Sequence, residues 1–134
     1  MARILIVEDD ALVSRMYQQA FEFDGYEVAL AGDGEEGLRK LKEKSPTLIL
    51  LDLMMPKMNG LEVLDAIEAD PATKKIPVIV LTNLADSDSA EKALGKGAIK
   101  YIVKSKYKPK EVVAIVKEIL AAYTREELPK ARKQ

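Results

Sequence analysis

Short apolar runs alternate with helix-like patterns along nearly the whole chain. The first run, residues 4–7, precedes apolar residues spaced for one face of a helix, and this pair of patterns occurs five times. The third run, residues 48–51, is apolar at every position, which is typical of a strand covered by helices on both faces. Because strand–helix–strand crossovers are short and right-handed, the order predicts an α/β fold with a doubly wound, five-stranded parallel sheet.

The boundaries of these elements can be read from the same patterns. The last helix is predicted to begin at Pro109, where the missing N–H group costs nothing because the first amides of a helix have no partner within it. We expect one folded domain over residues 1–123 and a charged C-terminal tail or truncated linker over 124–134, too short for an effector domain. The predicted strands are residues 4–7, 27–31, 48–51, 78–81 and 99–103.

The chain contains neither histidine nor cysteine. It therefore lacks the usual general base near neutral pH, the commonest transition-metal ligand and any thiolate nucleophile. The longest apolar stretch is interrupted by Asp52 and is far too short to span a membrane. These absences leave carboxylates, hydroxyls, lysines and hard metal ions as the available chemistry, and we expect a cytoplasmic location.

The formal net charge of −1 hides an uneven distribution. Residues 1–91 hold 9 basic and 18 acidic residues, whereas residues 92–117 hold eight lysines and one acid, Glu111. The lysine-rich segment 92–110 is expected to contact an acidic protein or, as an alternative, to be only a solvated face. Its lack of arginine and its few aromatic residues disfavour nucleic acid as a partner.

Polar residues follow four of the predicted strands, at the point where each strand ends. Ligands of open α/β sheets bind at the carboxyl ends of the strands, so these side chains are expected to converge at one edge. Like charges brought together need a cation, and a set of oxygen ligands favours Mg²⁺ over zinc or copper. The residues are Glu8, Asp9, Asp10, Asp52, Thr82, Asn83 and Lys104.

A carboxylate beside Mg²⁺, a lysine and a hydroxyl is suited to phosphoryl transfer. In that interpretation Asp52 is the nucleophile and forms an aspartyl phosphate. The alternative is that residues 8–10 only cap the first helix and that Asp52 only begins a loop. The alternative leaves the predicted convergence of four strand ends without an explanation.

At these positions the chain resembles the receiver domains of bacterial two-component response regulators, of the single-domain, chemotaxis-Y-like type. The resemblance covers about residues 3–121 and implies a flavodoxin-like sheet of strand order 2-1-3-4-5. It rests on Ile-Leu-Ile-Val-Glu-Asp-Asp at 4–10, Leu-Leu-Asp-Leu-Met-Met-Pro-Lys-Met-Asn-Gly at 50–60, Thr82, and Tyr-Ile-Val-Lys at 101–104.

The resemblance implies that Asp52 is the phosphoacceptor and that its donor is a phosphohistidine on a histidine kinase or a histidine phosphotransfer protein. Mg²⁺ is implied as the cofactor, bound by Asp52, Asp9 and the backbone carbonyl of Met54, and through water by Glu8. The domain is then a phosphoprotein of phosphorelay signal transduction that switches protein–protein contacts. It is not an enzyme in the usual sense, because it catalyses only its own phosphorylation and dephosphorylation.

Three further residues take roles from the resemblance. Thr82 is expected to hydrogen-bond the phosphoryl group and Lys104 to pair with it. Tyr101 is expected to turn inward when Thr82 moves, and the alternative is an ordinary half-buried strand aromatic.

The family usually has proline after the lysine, with a cis peptide, whereas this chain has Ser105. The peptide between Lys104 and Ser105 is therefore either a strained cis bond or trans.

Other functions fit the sequence less well. Residues 32–37, Gly-Asp-Gly-Glu-Glu-Gly, match a dinucleotide-binding motif, but three acids stand where a pyrophosphate would bind. An aspartate-nucleophile phosphatase would need a second acid at the position of Met54. The remaining rival is a receiver fold that docks partners without phosphate, and a phosphorylation-dependent dimer is a further possible output.

Overall fold

The computed structural model describes residues 2–126. Its five strands are β1 (Arg3–Val7), β2 (Glu27–Ala31), β3 (Leu48–Leu51), β4 (Val78–Thr82) and β5 (Lys100–Val103). Its helices are α1 (Ala11–Phe23), α2 (Gly34–Glu43), α3 (Gly60–Ala69), α4 (Ser87–Gly95) and α5 (Pro109–Glu126), with a 3₁₀ turn at Lys104–Lys106. Within the described range, no helix has the length and the apolar character that crossing a membrane requires.

All strand pairs in the sheet are parallel, and the strand order is β2-β1-β3-β4-β5, which confirms the predicted fold. The register aligns the carboxyl ends of neighbouring strands. Val7 lies opposite Leu51, and Thr82 lies opposite Val103. The residues that follow these pairs therefore emerge side by side at one edge of the sheet.

Helices cover both faces of the sheet because alternate residues of each central strand face opposite ways. On one face, α2, α3 and α4 pack on a cluster that includes Leu5, Ile49 and Val80. On the other face, α1 and α5 pack on a cluster that includes Leu50 and Ile79. Burial on both sides explains why β3 and β4 are continuous apolar runs.

The last helix crosses the expected boundary between the domain and the tail, and that boundary stays a prediction. The proposed tail was to begin at residue 124, but α5 continues to Glu126. Residues 127–134 of that tail lie outside the described part of the chain. The helix continues because residues 124–126, Thr-Arg-Glu, contain no helix breaker and the first proline comes later, at Pro129.

Lys57, in the loop between β3 and α3, has a backbone φ of 68°. A residue with a Cβ is strained by about 1 kcal/mol in this left-handed region, whereas glycine is not. We expect Lys57→Gly to raise the free energy of unfolding by roughly 0.5–1 kcal/mol. Its ion pair with Asp33, at 3.9 Å and largely exposed, offsets little of that gain.

Urea denaturation measures this change. A matched control is Lys42→Gly, which places glycine on an exposed position inside α2 and is expected to lower the stability by about 1 kcal/mol. A midpoint for Lys57→Gly at or below that of the unsubstituted protein would show that the left-handed backbone carries no strain.

Candidate functional site

Three carboxylates meet where β1 and β3 end. The Asp52 amide donates to the carbonyl of Val7 at 3.0 Å, which places Asp52 next to the β1 end. Carboxylate oxygens of Glu8, Asp9 and Asp52 lie within 4.8 Å of one another. Glu8 and Asp52 are only 5% and 6% exposed, whereas Asp9 faces solvent. The predicted convergence of these acids is confirmed.

Lys104 reaches into this cluster from the 3₁₀ turn after β5. Its ammonium donates to Glu8 Oε1, and to Asp52 Oδ2 at 3.1 Å. The Lys104 side chain is 12% exposed, so solvent screens these ion pairs little. A single buried cation therefore offsets two buried carboxylates, which would otherwise repel each other.

Burial and charge act on the pKa values of this pair in different ways. Burial has the largest effect on Glu8 and raises the pKa of its carboxyl, although Lys104 lowers it. Burial alone would lower the pKa of Lys104, but the Glu8 hydrogen bond and the charges of both carboxylates together outweigh it and raise that pKa. Lys104 is therefore held firmly as an ammonium ion.

Backbone amides fix the two buried carboxylates from the other side. The Met54 amide donates to Asp52 Oδ1 at 3.2 Å, and the Asp10 amide donates to Glu8 Oε2 at 3.0 Å. Gly60 brings the start of α3 against the same strand end, because a Cβ there would lie 2.4 Å from the Asp52 carbonyl oxygen. Only glycine fits at that distance, so a motif residue without functional groups sets the position of α3 beside Asp52.

The donor set fits a hard divalent cation. All three convergent groups are carboxylates, two nearly buried and one exposed, which suits an ion that keeps water molecules in part of its shell. Mg²⁺ matches this chemistry better than zinc, because the sequence contains neither cysteine nor histidine, the ligands that zinc sites usually need. The expected contribution of the Met54 carbonyl remains a prediction.

Thr82 and Tyr101 are joined through the loop after β4. Thr82 is fully buried, and its Oγ1 accepts a long hydrogen bond, 3.4 Å, from the Leu84 amide. The Tyr101 hydroxyl donates to the Leu84 carbonyl at 2.6 Å. Burial, followed by the charges of nearby acids, raises the pKa of Tyr101, so that the phenol remains neutral and able to donate.

Asp10 has a different role from its two neighbours. Its side chain caps α1 by accepting from the amides of Leu12, at 2.9 Å, and Val13, at 3.2 Å. The capping alternative is therefore right for Asp10, while Glu8 and Asp9 join Asp52 in the cluster. An aspartate directly before a helix was the only signal in the sequence for this division.

The peptide between Lys104 and Ser105 is trans, since no cis peptide occurs among residues 2–126. The Ser105 amide donates to Asn83 Oδ1 at 3.1 Å. Asn83 was expected at the sheet edge from its place after β4, with no role of its own. Lys104 still reaches both carboxylates, so the absence of proline does not remove it from the site.

The dinucleotide-like motif at residues 32–37 is a helix cap. Asp33 Oδ1 accepts from the Glu36 amide at 2.8 Å, and Glu36 Oε1 accepts from the Gly32 amide at 2.6 Å. The Gly32 hydrogen bond is the main reason that the pKa of Glu36 is lowered. Amides that a pyrophosphate would need are bound by the chain's own carboxylates, which argues against a nucleotide site.

Sequence comparison finds relatives over most of the chain. The family model described as the response regulator receiver domain matches residues 4–117. The DNA-binding response regulator MtrA of Mycobacterium tuberculosis (strain H37Rv) is 40% identical over 115 residues, which are 86% of this chain and 49% of that protein. The probable transcriptional regulator ycf27 of Porphyridium aerugineum is 37% identical over 118 residues, 88% of this chain and 48% of the relative. The chain thus spans about half the length of these curated relatives.

Solved structures agree along nearly their whole length. A CheY-like receiver domain protein from Methanospirillum hungatei superposes with a TM-score of 0.86 at 32% identity, covering 94% of this chain and 98% of that one. The Mn²⁺-bound form of response regulator Rcp1 gives a TM-score of 0.76 at 31% identity, covering 96% and 97%.

Proposed function

The chain belongs to the response regulator receiver domain family, and from this premise we propose that it accepts a phosphoryl group on Asp52 and thereby switches its protein contacts. It is a receiver domain of a two-component response regulator, a signalling domain rather than a classical enzyme. The observation that carries the proposal is the Lys104 ammonium between Glu8 and Asp52, beside the exposed carboxylate of Asp9.

The proposed chemistry is the transfer of a phosphoryl group from a phosphohistidine to Asp52. A bond forms between an Asp52 carboxylate oxygen and phosphorus as the donor's phosphorus–nitrogen bond breaks, and the imidazole nitrogen keeps the electron pair. Lys104 is placed to offset negative charge on the phosphoryl oxygens, since its Nζ already lies 3.1 Å from Asp52 Oδ2. These 134 residues contain no histidine, so the phosphohistidine donor lies outside them, on a histidine kinase or a histidine phosphotransfer protein.

Glu8, Asp9 and Asp52 are the residues that would hold Mg²⁺, with the Met54 carbonyl as a further ligand. The bound ion would supply positive charge opposite the phosphoryl oxygens. Support comes from the oxygen donors within 4.8 Å of one another, and from a similar solved response regulator described as Mn²⁺-bound. The exposure of Asp9 gives an ion access to the site from solvent.

Readout would begin when the Thr82 side chain moves toward the phosphoryl group on Asp52. The Tyr101 hydroxyl is bonded to the carbonyl of Leu84, two residues after Thr82. A change in the Thr82 position therefore reaches Tyr101 through one short loop. This contact supports the switch role for Tyr101 over that of an ordinary strand aromatic.

The lysine-rich segment 92–110 is our candidate surface for a downstream protein. We place phosphorylation and this contact in the cytoplasm. Lys92 and Lys96 are already paired, with Asp88 at 3.3 Å and Asp65 at 2.9 Å. Within the described residues no ion pair involves Lys100, Lys106, Lys108 or Lys110, all of which are exposed.

The unpaired positive charge of this segment favours an acidic partner over a second copy. A symmetric dimer through this face would bring the same lysines together, which opposes a phosphorylation-dependent dimer of that kind. The relative MtrA is named as a DNA-binding response regulator; for this segment we propose protein contact, since its basic residues are all lysine.

Intact mass spectrometry tests the function. We expect incubation with acetyl phosphate to add one phosphoryl group, and to do so only when Mg²⁺ is present. No mass gain, either with acetyl phosphate or with a phosphohistidine donor, would leave phosphorylation-independent docking as the better explanation of the fold.

Two apolar side chains in the loops after β3 and β4 predict that the phosphorylated form loses its phosphate slowly. Met54 is 55% exposed and Leu84 is half-buried, and neither can orient an attacking water by a hydrogen bond. We expect Met54→Asn to speed phosphate loss roughly fivefold, the equivalent of one hydrogen bond of about 1 kcal/mol.

The rate is measured by the decay of the phosphorylated mass after the donor is removed. Met54→Leu is the matched control and is expected to retain the slow rate, because it changes shape without adding a polar group. A Met54→Asn protein that loses phosphate no faster than Met54→Leu would contradict the prediction.

A further inference from the structure

One hydrogen bond ties together the two loops that flank the site. The Ser105 amide donates to Asn83 Oδ1 at 3.1 Å. Thr82 and Val103 lie opposite each other in β4 and β5, so Asn83 and Lys104 are the first residues beyond the paired strands. The bond between Asn83 and Ser105 therefore joins the two loops just beyond the last paired residues of β4 and β5.

The bond depends on two particular residues of this chain. A proline at position 105 would have no N–H group to donate, and serine supplies one. At position 83, an asparagine carries an acceptor on a side chain long enough to reach the neighbouring loop. The trans peptide before Ser105 and this bond together define the geometry of the turn.

Lys104 belongs to this turn. It is the first residue of the 3₁₀ turn, which is closed by a backbone hydrogen bond from the Tyr107 amide to the Lys104 carbonyl, at 3.3 Å. A lysine side chain has four rotatable bonds, so its ammonium stays between two carboxylates only if the backbone beneath it is well placed.

We propose that Asn83 is a positioning residue: by binding the Ser105 amide it holds the Lys104 turn in the arrangement needed for phosphoryl uptake. The inference rests on the proposed function, since it concerns the same Asp52 site. Asn83 does not touch the carboxylates itself and acts through the backbone of residues 104–105.

The same bond links Lys104 to the switch. Asn83 stands between Thr82, whose Oγ1 accepts from the Leu84 amide, and Leu84, whose carbonyl accepts from the Tyr101 hydroxyl. A displacement of Thr82 therefore moves Asn83 and, through it, the Lys104 turn.

The size of the effect follows from the exposure of the bond. Asn83 and Ser105 both face solvent, so their bond is one of ordinary strength. We expect Asn83→Ala to slow phosphoryl uptake from acetyl phosphate by about three- to fivefold, since a factor of five corresponds to about 1 kcal/mol.

The test uses the whole chain with Mg²⁺ and acetyl phosphate, and follows the phosphorylated mass with time. Asn83→Asp keeps the acceptor oxygen and is expected to restore the rate of the unsubstituted protein. The rates are measured in 0.5 M salt, a condition chosen to screen the negative charge that the aspartate adds. Ser87→Ala is the control, because Ser87 is exposed at the start of α4 and its side chain makes no hydrogen bond within residues 2–126.

Amide hydrogen exchange at Ser105 provides a readout that does not depend on phosphorylation. The Ser105 amide is expected to exchange faster in Asn83→Ala and to remain protected in Asn83→Asp. If the unsubstituted protein takes up no phosphate, the proposed function fails. If it does, and Asn83→Ala matches its rate, or Asn83→Asp is as slow as Asn83→Ala, the positioning role is overturned.

Discussion

Asp52→Asn is expected to take up no phosphoryl group, from acetyl phosphate or from a phosphohistidine protein. An amide oxygen is a far weaker nucleophile than a carboxylate and cannot form a stable acyl phosphate. The fold should remain, because asparagine has nearly the same shape, its oxygen can still accept from Lys104, and Lys104 keeps the Glu8 carboxylate as an ionic partner; only the acceptor for the Met54 amide is lost. Loss of uptake is therefore expected to be complete, with little change in the thermal midpoint.

Intact mass over time, with Mg²⁺ present, measures this result. Asp65→Asn is the matched control, since Asp65 is an exposed aspartate of α3 whose partner is Lys96. The control should gain one phosphoryl group at the normal rate. If Asp52→Asn gained mass in the same experiment, Asp52 would not be the phosphoacceptor, and peptide mapping would have to locate another residue.

Lys104→Met is expected to have the largest effect on stability. It leaves Glu8 and Asp52, both buried, without their shared cation. Removing one partner of a buried ion pair costs about 3–5 kcal/mol, and we expect a loss in that range at neutral pH without divalent ions. Phosphoryl uptake should also fall by about 100-fold, since one electrostatic group opposite the transferring phosphoryl is lost.

Added Mg²⁺ should recover part of the lost stability, because a divalent cation can take over the charge that Lys104 supplied. Urea denaturation with and without Mg²⁺ measures both effects. Lys96→Met is the matched control: its surface pair with Asp65 is expected to contribute less than about 1 kcal/mol. Equal losses for the two variants would mean that Lys104 behaves as a surface lysine.

The fold and the meeting place of the acids were predictable for the same reason. Strands buried on both faces must be apolar throughout, so β3 and β4 are visible as uninterrupted runs. Parallel strands with short crossovers end at a common edge, so the residue after each run is placed by topology alone. The convergence of Glu8, Asp52 and Lys104 follows from that rule.

Other features depend on contacts between residues far apart in the chain. Asp10 and Asp9 are adjacent acids, yet Asp10 caps α1, whereas the carboxylate of Asp9 lies beside that of Asp52, which is far from it along the chain. Lys96 is neutralised by Asp65 from α3, whereas Lys100 has no ion pair in the described structure. Charge counts along the sequence treat these lysines as equal.

The amino-acid sequence by itself determined the α/β order, the parallel sheet and the chemical types gathered at its edge, since periodicity and strand ends are local properties. Only the tertiary structure decided that the Lys104–Ser105 peptide is trans and that Asn83 accepts from the Ser105 amide. Residues 83 and 105 are 22 positions apart in the chain. Their contact exists because β4 and β5 pair in one register, and a side-chain bond of this kind follows from that register and not from either residue's neighbours in the sequence.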